Sequence, residues 1–138
     1  MYKRQVAGGC AGAAVVNVLY PKWAHRARYD ACRVRTPGAE GGFGGLFSLT
    51  FGSLAASRAF FDALPCHKGP SLGTNFTLAC PYTVLAHFTE MDWAAKFGVE
   101  EGLVRVSVGL EPTQTLLDGF TAALEAAERA HTANGSPA

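Results

Sequence analysis

Arg105 stands in the middle of "LVRVSVGLEP", residues 103–112, a run that otherwise reads as an apolar strand. A guanidinium presents its N–H donors as a planar fork, and that fork matches the two oxygens of a carboxylate. In an extended chain Leu103, Arg105 and Ser107 share one face, and Val104, Val106 and Val108 share the other. The valine face is core. The arginine face must meet something polar, because an unpaired buried charge costs on the order of several kcal/mol. The nearest acid on the strand, Glu111, lies beyond its end. Three fates are open to Arg105: water, a carboxylate from elsewhere in the fold, or an anionic ligand.

The second candidate is "GPSLG", residues 69–73. Its composition reads as a turn, yet its glycines also let backbone approach a ligand, and Ser71 offers an N–H and a hydroxyl. "GGFGG", residues 41–45, lacks the G-x-G-x-x-G spacing that opens a phosphate-binding helix, and reads as a flexible lead into a strand. His25, His67, His87 and His131 show no ligand spacing with cysteines or acids, and no G-x-S-x-G occurs. Cys10, Cys32, Cys66 and Cys80 lie far apart without a C-x-x-C, so they read as free thiols of a reduced, intracellular protein.

The totals bound what these residues can serve. The 138 residues suit one domain, and 49% apolar against 17% charged residues suffices for a core. A net charge of +1 gives no footprint for nucleic acid or an anionic membrane. Lys3 and Arg4 before a small apolar run resemble a signal peptide, but the run is mostly Ala and Gly and continues into structured sequence. No stretch reaches the roughly 20 apolar residues that span a bilayer.

The elements that must position Arg105 follow from periodicity. "VVNVLY" reads as a strand stopped by Pro21, and residues 22–35 as a helix with Trp23, Ala27 and Ala31 on one face. "LFSLTF" alternates as a strand. A helix follows from Ser53, a suitable N-cap, to about Leu64. Residues 66–82 are irregular, with Asn75 to Leu78 extended. One helix is expected over "TVLAHFTEMDWAAKFG", closed by Gly98. After the arginine strand, a long helix starts at Pro112 as first helical residue, with Glu111 facing the positive end of the helix dipole. Its stripe is Leu116, Leu117, Phe120, Leu124 and Ala127. The order predicts an α+β fold, a small, mostly antiparallel sheet with helices on one face. Residues 132–138 read as a disordered tail.

Taken in order, "VVNVLYP", "GGLFSLTF", "GPSLG" and "GLVRVSVGLEP" before a long final helix resemble the C-terminal region of the pyridoxal-phosphate enzymes of cysteine and methionine metabolism. That family includes cystathionine γ-synthase and cystathionine γ-lyase, and "KGPSLGTNFTLACPY" is most similar to its fungal-type branch. The resemblance implies the small domain of an aspartate-aminotransferase-type fold over residues 14–131, closing over the substrate of a large cofactor domain. It maps the substrate α-carboxylate onto Arg105, and the backbone that lines the substrate pocket onto Ser71 and Leu72. The implied reaction is γ-elimination or γ-replacement on cystathionine or an O-acyl-homoserine, in a cytoplasmic homotetramer that touches neither nucleic acid nor membrane.

Two departures qualify that implication. The Schiff-base lysine and the aspartate at the pyridine nitrogen should lie upstream, and none of Lys3, Lys22, Lys68 and Lys96 has the S-x-T-K context. This chain alone is therefore expected neither to hold pyridoxal phosphate nor to catalyse. Pro70 stands where several γ-specific members carry an acid, which leaves γ- against β-specificity open. Residues 1–13 match no family segment, so the chain is expected to begin inside a longer product. The alternative from another class is a free-standing, non-catalytic α+β domain that binds a partner or a small anion.

Overall fold

Alternation is strongest in "LFSLTF", and there the backbone follows it without exception: β2 spans Leu46–Phe51, beside the central strand of the sheet. The computed structural model describes residues 14–34, 36–38 and 41–134. Before β2 come β1, Val15–Leu19, and a short helix α1, Arg26–Cys32. After it come α2, Leu54–Ala63; β3, His67–Lys68; β4, Leu78–Pro81; α3, Tyr82–His87; α4, Met91–Ala95; β5, Val104–Ser107; and α5, Thr113–Asn134. The strand order is β1-β2-β5-β4-β3, antiparallel throughout except for the parallel β3–β4 pair. This is the α+β sheet that the sequence predicts.

One face of the sheet carries the core. Phe47, Leu49 and Phe51 of β2 meet Val104 and Val106 of β5, and α2 and α5 lie across them with Phe60, Ala123 and Ala127 fully buried. Phe60 packs between Phe51 and Phe120, at ring-centroid distances of 5.1 and 6.3 Å. Ser53 caps α2 as expected, its hydroxyl accepting the Ala56 N–H at 3.2 Å. Ser53→Ala should lower the unfolding free energy by about 1 kcal/mol, read from urea denaturation.

Four local expectations change. The helix expected over residues 83–98 is two short helices, α3 and α4, separated by a turn in which His87 Nδ1 meets Glu90 Oε1 at 2.8 Å. The helix expected over residues 22–35 shrinks to Arg26–Cys32, because the chain before it turns through His25 at a φ of 54°. The extended stretch sits at Leu78–Pro81 rather than Asn75–Leu78, where it pairs with β5. The last helix continues to Asn134, past the predicted end of order at 131. Residues 1–13 and 135–138 lie outside the described residues, as does Cys10.

"GGFGG" is also less empty than its composition suggests. The Phe43 ring stacks on Tyr29 at 5.6 Å, and the Arg33 guanidinium lies 4.4 Å from its centroid. Positive φ values of 61° at Gly41 and 76° at Gly44 let the chain turn on either side of that ring. Among the described residues no helix is long and apolar enough to cross a membrane.

Candidate functional site

Register puts Arg105 between Ser48 of β2 and Cys80 of β4, on the face opposite α2 and α5. That face is neither open nor helix-covered. The irregular segment between β3 and β4 folds across it at Ser107, which is only 5% exposed. Arg105 donates from Nη2 to the Pro70 carbonyl. Two residues along the strand, Ser107 Oγ accepts the Gly73 N–H at 2.9 Å. The "GPSLG" turn and the arginine strand, 34 residues apart at that contact, are thus brought together. Ser71 and Leu72 occupy the exposed tip of the turn.

The guanidinium is held from a second side. It lies 5.1 Å from the ring centroid of Tyr82, the first residue of α3. A cation over an aromatic face gains about 0.5–1 kcal/mol at an exposed site. Tyr82 was not singled out in the sequence, since nothing local links it to a residue 23 positions away. The ring of His87 stands edge-on to Tyr82 at 5.9 Å.

Among the described residues no carboxylate pairs with Arg105. Its charge acts instead on Cys80, whose thiol is pushed up from its usual range by burial and pulled partly back by the arginine. One guanidinium donor serves Pro70, and the fork retains donors for an incoming anion. Lys68 aligns with Ala79 on the core side, where Nζ binds the Leu64 carbonyl at 2.8 Å, and Lys22 and Lys96 are exposed. Among the described residues no cluster of His, Cys, Asp or Glu could hold a metal ion.

Glu111 departs from its expected place at the helix dipole. Its carboxylate turns back to Thr77, accepting the backbone N–H at 2.6 Å and the hydroxyl at 2.8 Å. Charge-assisted bonds of this kind outweigh a dipole interaction at an exposed helix end. Pro112 supplies the first carbonyl of α5, accepting from the Leu116 N–H at 3.1 Å, and Thr113 is the first helical residue. The Thr77 N–H holds the Glu111 carboxyl below the usual carboxylate range, helped by the Thr77 hydroxyl and by His67 and opposed by partial burial.

A carboxyl depressed in the folded state stabilises fully above its unfolded pKa, and that contribution is lost as pH falls through the folded value. Urea unfolding from about pH 6 to about pH 3 should show a steeper acid-side loss in the wild type than in Glu111→Gln.

A cleft of about 400 Å³ runs between β1 and α5, lined by Val18, Tyr20, Trp23, Phe47, Leu117 and Phe120 among others. It lies on the helix side of the sheet, away from Arg105, and no charged side chain lines it. It therefore lacks what an amino-acid zwitterion requires.

No protein-family model matches the chain. Individual proteins do. The chain is 54% identical over 134 residues to the cystathionine γ-synthase-like enzyme iboG2 of Amanita muscaria, a match taking in 91% of this chain and 21% of that enzyme. It is 50% identical over 115 residues to cystathionine γ-synthase of Neurospora crassa, covering 83% of this chain and 18% of the relative. Among solved structures, cystathionine γ-synthase from Xanthomonas oryzae pv. oryzae in complex with cystathionine aligns with a TM-score of 0.72 at 28% identity. That alignment covers 94% of this chain and 32% of the other. The chain spans about a fifth of the length of the curated relatives it matches. Sequence identity and the five-stranded sheet agree: the chain belongs to the cystathionine γ-synthase family and corresponds to the C-terminal domain part of its members.

Proposed function

We propose that this chain supplies the substrate-carboxylate grip of a transsulfuration enzyme acting at the γ-carbon of cystathionine or an O-acyl-homoserine. The observation that carries the reading is Arg105: a guanidinium steadied by a carbonyl and an aromatic ring, with no acid paired to it among the described residues, beneath the turn that bears Ser71 and Leu72. Its free donors match an α-carboxylate bidentately, which fixes the direction of the Cα bonds. Ser71 and Leu72 line the other side of the substrate through their backbone.

Enzymes of this family depend on pyridoxal phosphate, which supplies the electron sink for the chemistry at the substrate carbons. The described residues do not fit that cofactor, since Lys68 is bonded to the Leu64 carbonyl on the core side and the exposed Lys22 and Lys96 lack the S-x-T-K context. On this reading the cofactor sits on a large domain of a longer, cytoplasmic, homotetrameric enzyme, and this segment binds and orients substrate without turning it over.

The test is a titration of the isotopically labelled chain with L-cystathionine and with its bis-α-carboxamide, in which both α-carboxylates are amidated. Binding of the acid, with shifts at the Arg105 side chain and the Ser71 and Leu72 amides, and weaker binding of the amide are expected. Equal binding of both overturns the assignment. Binding of acetate as tight as that of L-cystathionine would favour a simple anion-binding domain.

A further inference from the structure

Arg105, Ser107, Gly109 and Glu111 recur at every second residue of "RVSVGLE", and all four meet the 70–77 loop. Arg105 takes Pro70 and Ser107 takes Gly73. The Gly109 N–H donates to Thr77 Oγ1 at 3.0 Å, and Glu111 accepts both donors of Thr77. Between them the Leu110 N–H donates to the Asn75 carbonyl at 2.9 Å. Beyond the end of β5 the chain thus continues as a strip that fastens the loop at Pro70, Gly73, Asn75 and Thr77.

The loop has no helix or strand from Gly69 to Thr77, and its tip is exposed. Where Ser71 and Leu72 stand is therefore set by these fastenings. Besides the arginine, two residues of the strip fasten the loop through their side chains. Ser107 holds Gly73, next to the tip, through a hydroxyl that is buried with the residue. Glu111 holds the loop's base through a charged acceptor. We propose that Ser107 and Glu111 are positioning residues, which fix the loop bearing Ser71 and Leu72 relative to Arg105. The role in ligand binding rests on the carboxylate reading above; the fastening itself does not.

Amide hydrogen exchange and an L-cystathionine titration on the full chain test both parts. In Ser107→Ala exchange at Gly73 should quicken about tenfold or more, and in Glu111→Ala the same should hold at Thr77, the loss of one buried hydrogen bond. Glu111→Gln, which keeps an acceptor for the Thr77 N–H, should restore most of the protection. The Kd for L-cystathionine should rise about fivefold to tenfold in both alanine variants and less in Glu111→Gln. Ser107→Cys and Glu111→Asp, closer to native volume, give the same comparison should an alanine variant fail to fold. Unchanged exchange at Gly73 and Thr77 overturns the proposal, and so does faster exchange with an unaltered Kd. Failure of the wild-type chain to bind L-cystathionine overturns the carboxylate reading instead, while the exchange rates still decide whether the strip fixes the loop.

Discussion

Arg105→Ala, made in a full-length family member that carries this segment, should lower kcat/KM for the amino-acid substrate by roughly a hundredfold to a thousandfold. On the proposed reading the substitution removes a bidentate, charge-assisted pair with the substrate carboxylate, and a loss of about 3–4 kcal/mol corresponds to that factor. Arg105→Lys keeps the charge and can still donate to the Pro70 carbonyl, but it has no planar fork. It should recover part of the loss and remain at least about tenfold below the wild type, the equivalent of about 1.4 kcal/mol. The pair separates two roles. If the arginine only tethered the loop through Pro70, lysine would restore full activity. An unchanged kcat/KM in the alanine variant would remove Arg105 from the site altogether.

Gly109→Ala should be the most damaging single methyl on the strip. A Cβ there would stand 2.4 Å from the carbonyl carbon of Phe76 and 2.6 Å from Glu111 Oε2. Neither neighbour can yield cheaply, because one is backbone and the other is bound at Thr77. The loop must lift or β5 must shift, and the unfolding free energy should fall by about 3 kcal/mol, the upper part of the range for overpacking. Gly119→Ala is the control. There the nearest atom is Pro65 Cγ at 2.8 Å, part of a ring in a connecting segment, and alanine gains about 1 kcal/mol of helix propensity over glycine. Its unfolding midpoint in urea should move far less. Equal midpoints for Gly109→Ala and the wild type would mean that the loop is not tightly seated.

Much of this arrangement was legible where short-range signals dominate. The alternation of "LFSLTF", the capping hydroxyl of Ser53 and the valine face of β5 each depend on neighbours within a few residues, and each appears in the structure as read. The break between α3 and α4 was not legible. No glycine or proline marks it; the turn is closed by the Glu90 N–H on the His87 carbonyl at 2.9 Å and by the His87–Glu90 side-chain contact, while long-range bonds fix only the start of α3, from Thr83 Oγ1 to the Glu100 carbonyl at 2.6 Å and from the Tyr82 N–H to the Leu103 carbonyl at 3.1 Å. The two-residue β3 has no pattern to detect, because its pairing with β4 creates it. The site divides in the same way. The period-two face of "RVSVGLE" is visible in the chain, but its partner loop lies more than thirty residues away. The resemblance linked Arg105 to Ser71 and Leu72; the hydrogen bonds supply the physical reason that the two motifs occur together.

Cys80 gives this face a built-in clock. It is 2% exposed, it lies opposite Arg105 in the register, and burial keeps its thiol protonated beyond the usual range. An alkylating reagent needs both access and a thiolate, so it should modify Cys80 only during openings that expose the arginine side of the sheet. Cys32, exposed at the end of α1, should react at once and serve as the internal reference. The ratio of the two rates measures how often the arginine side of the sheet unlatches, without any ligand present.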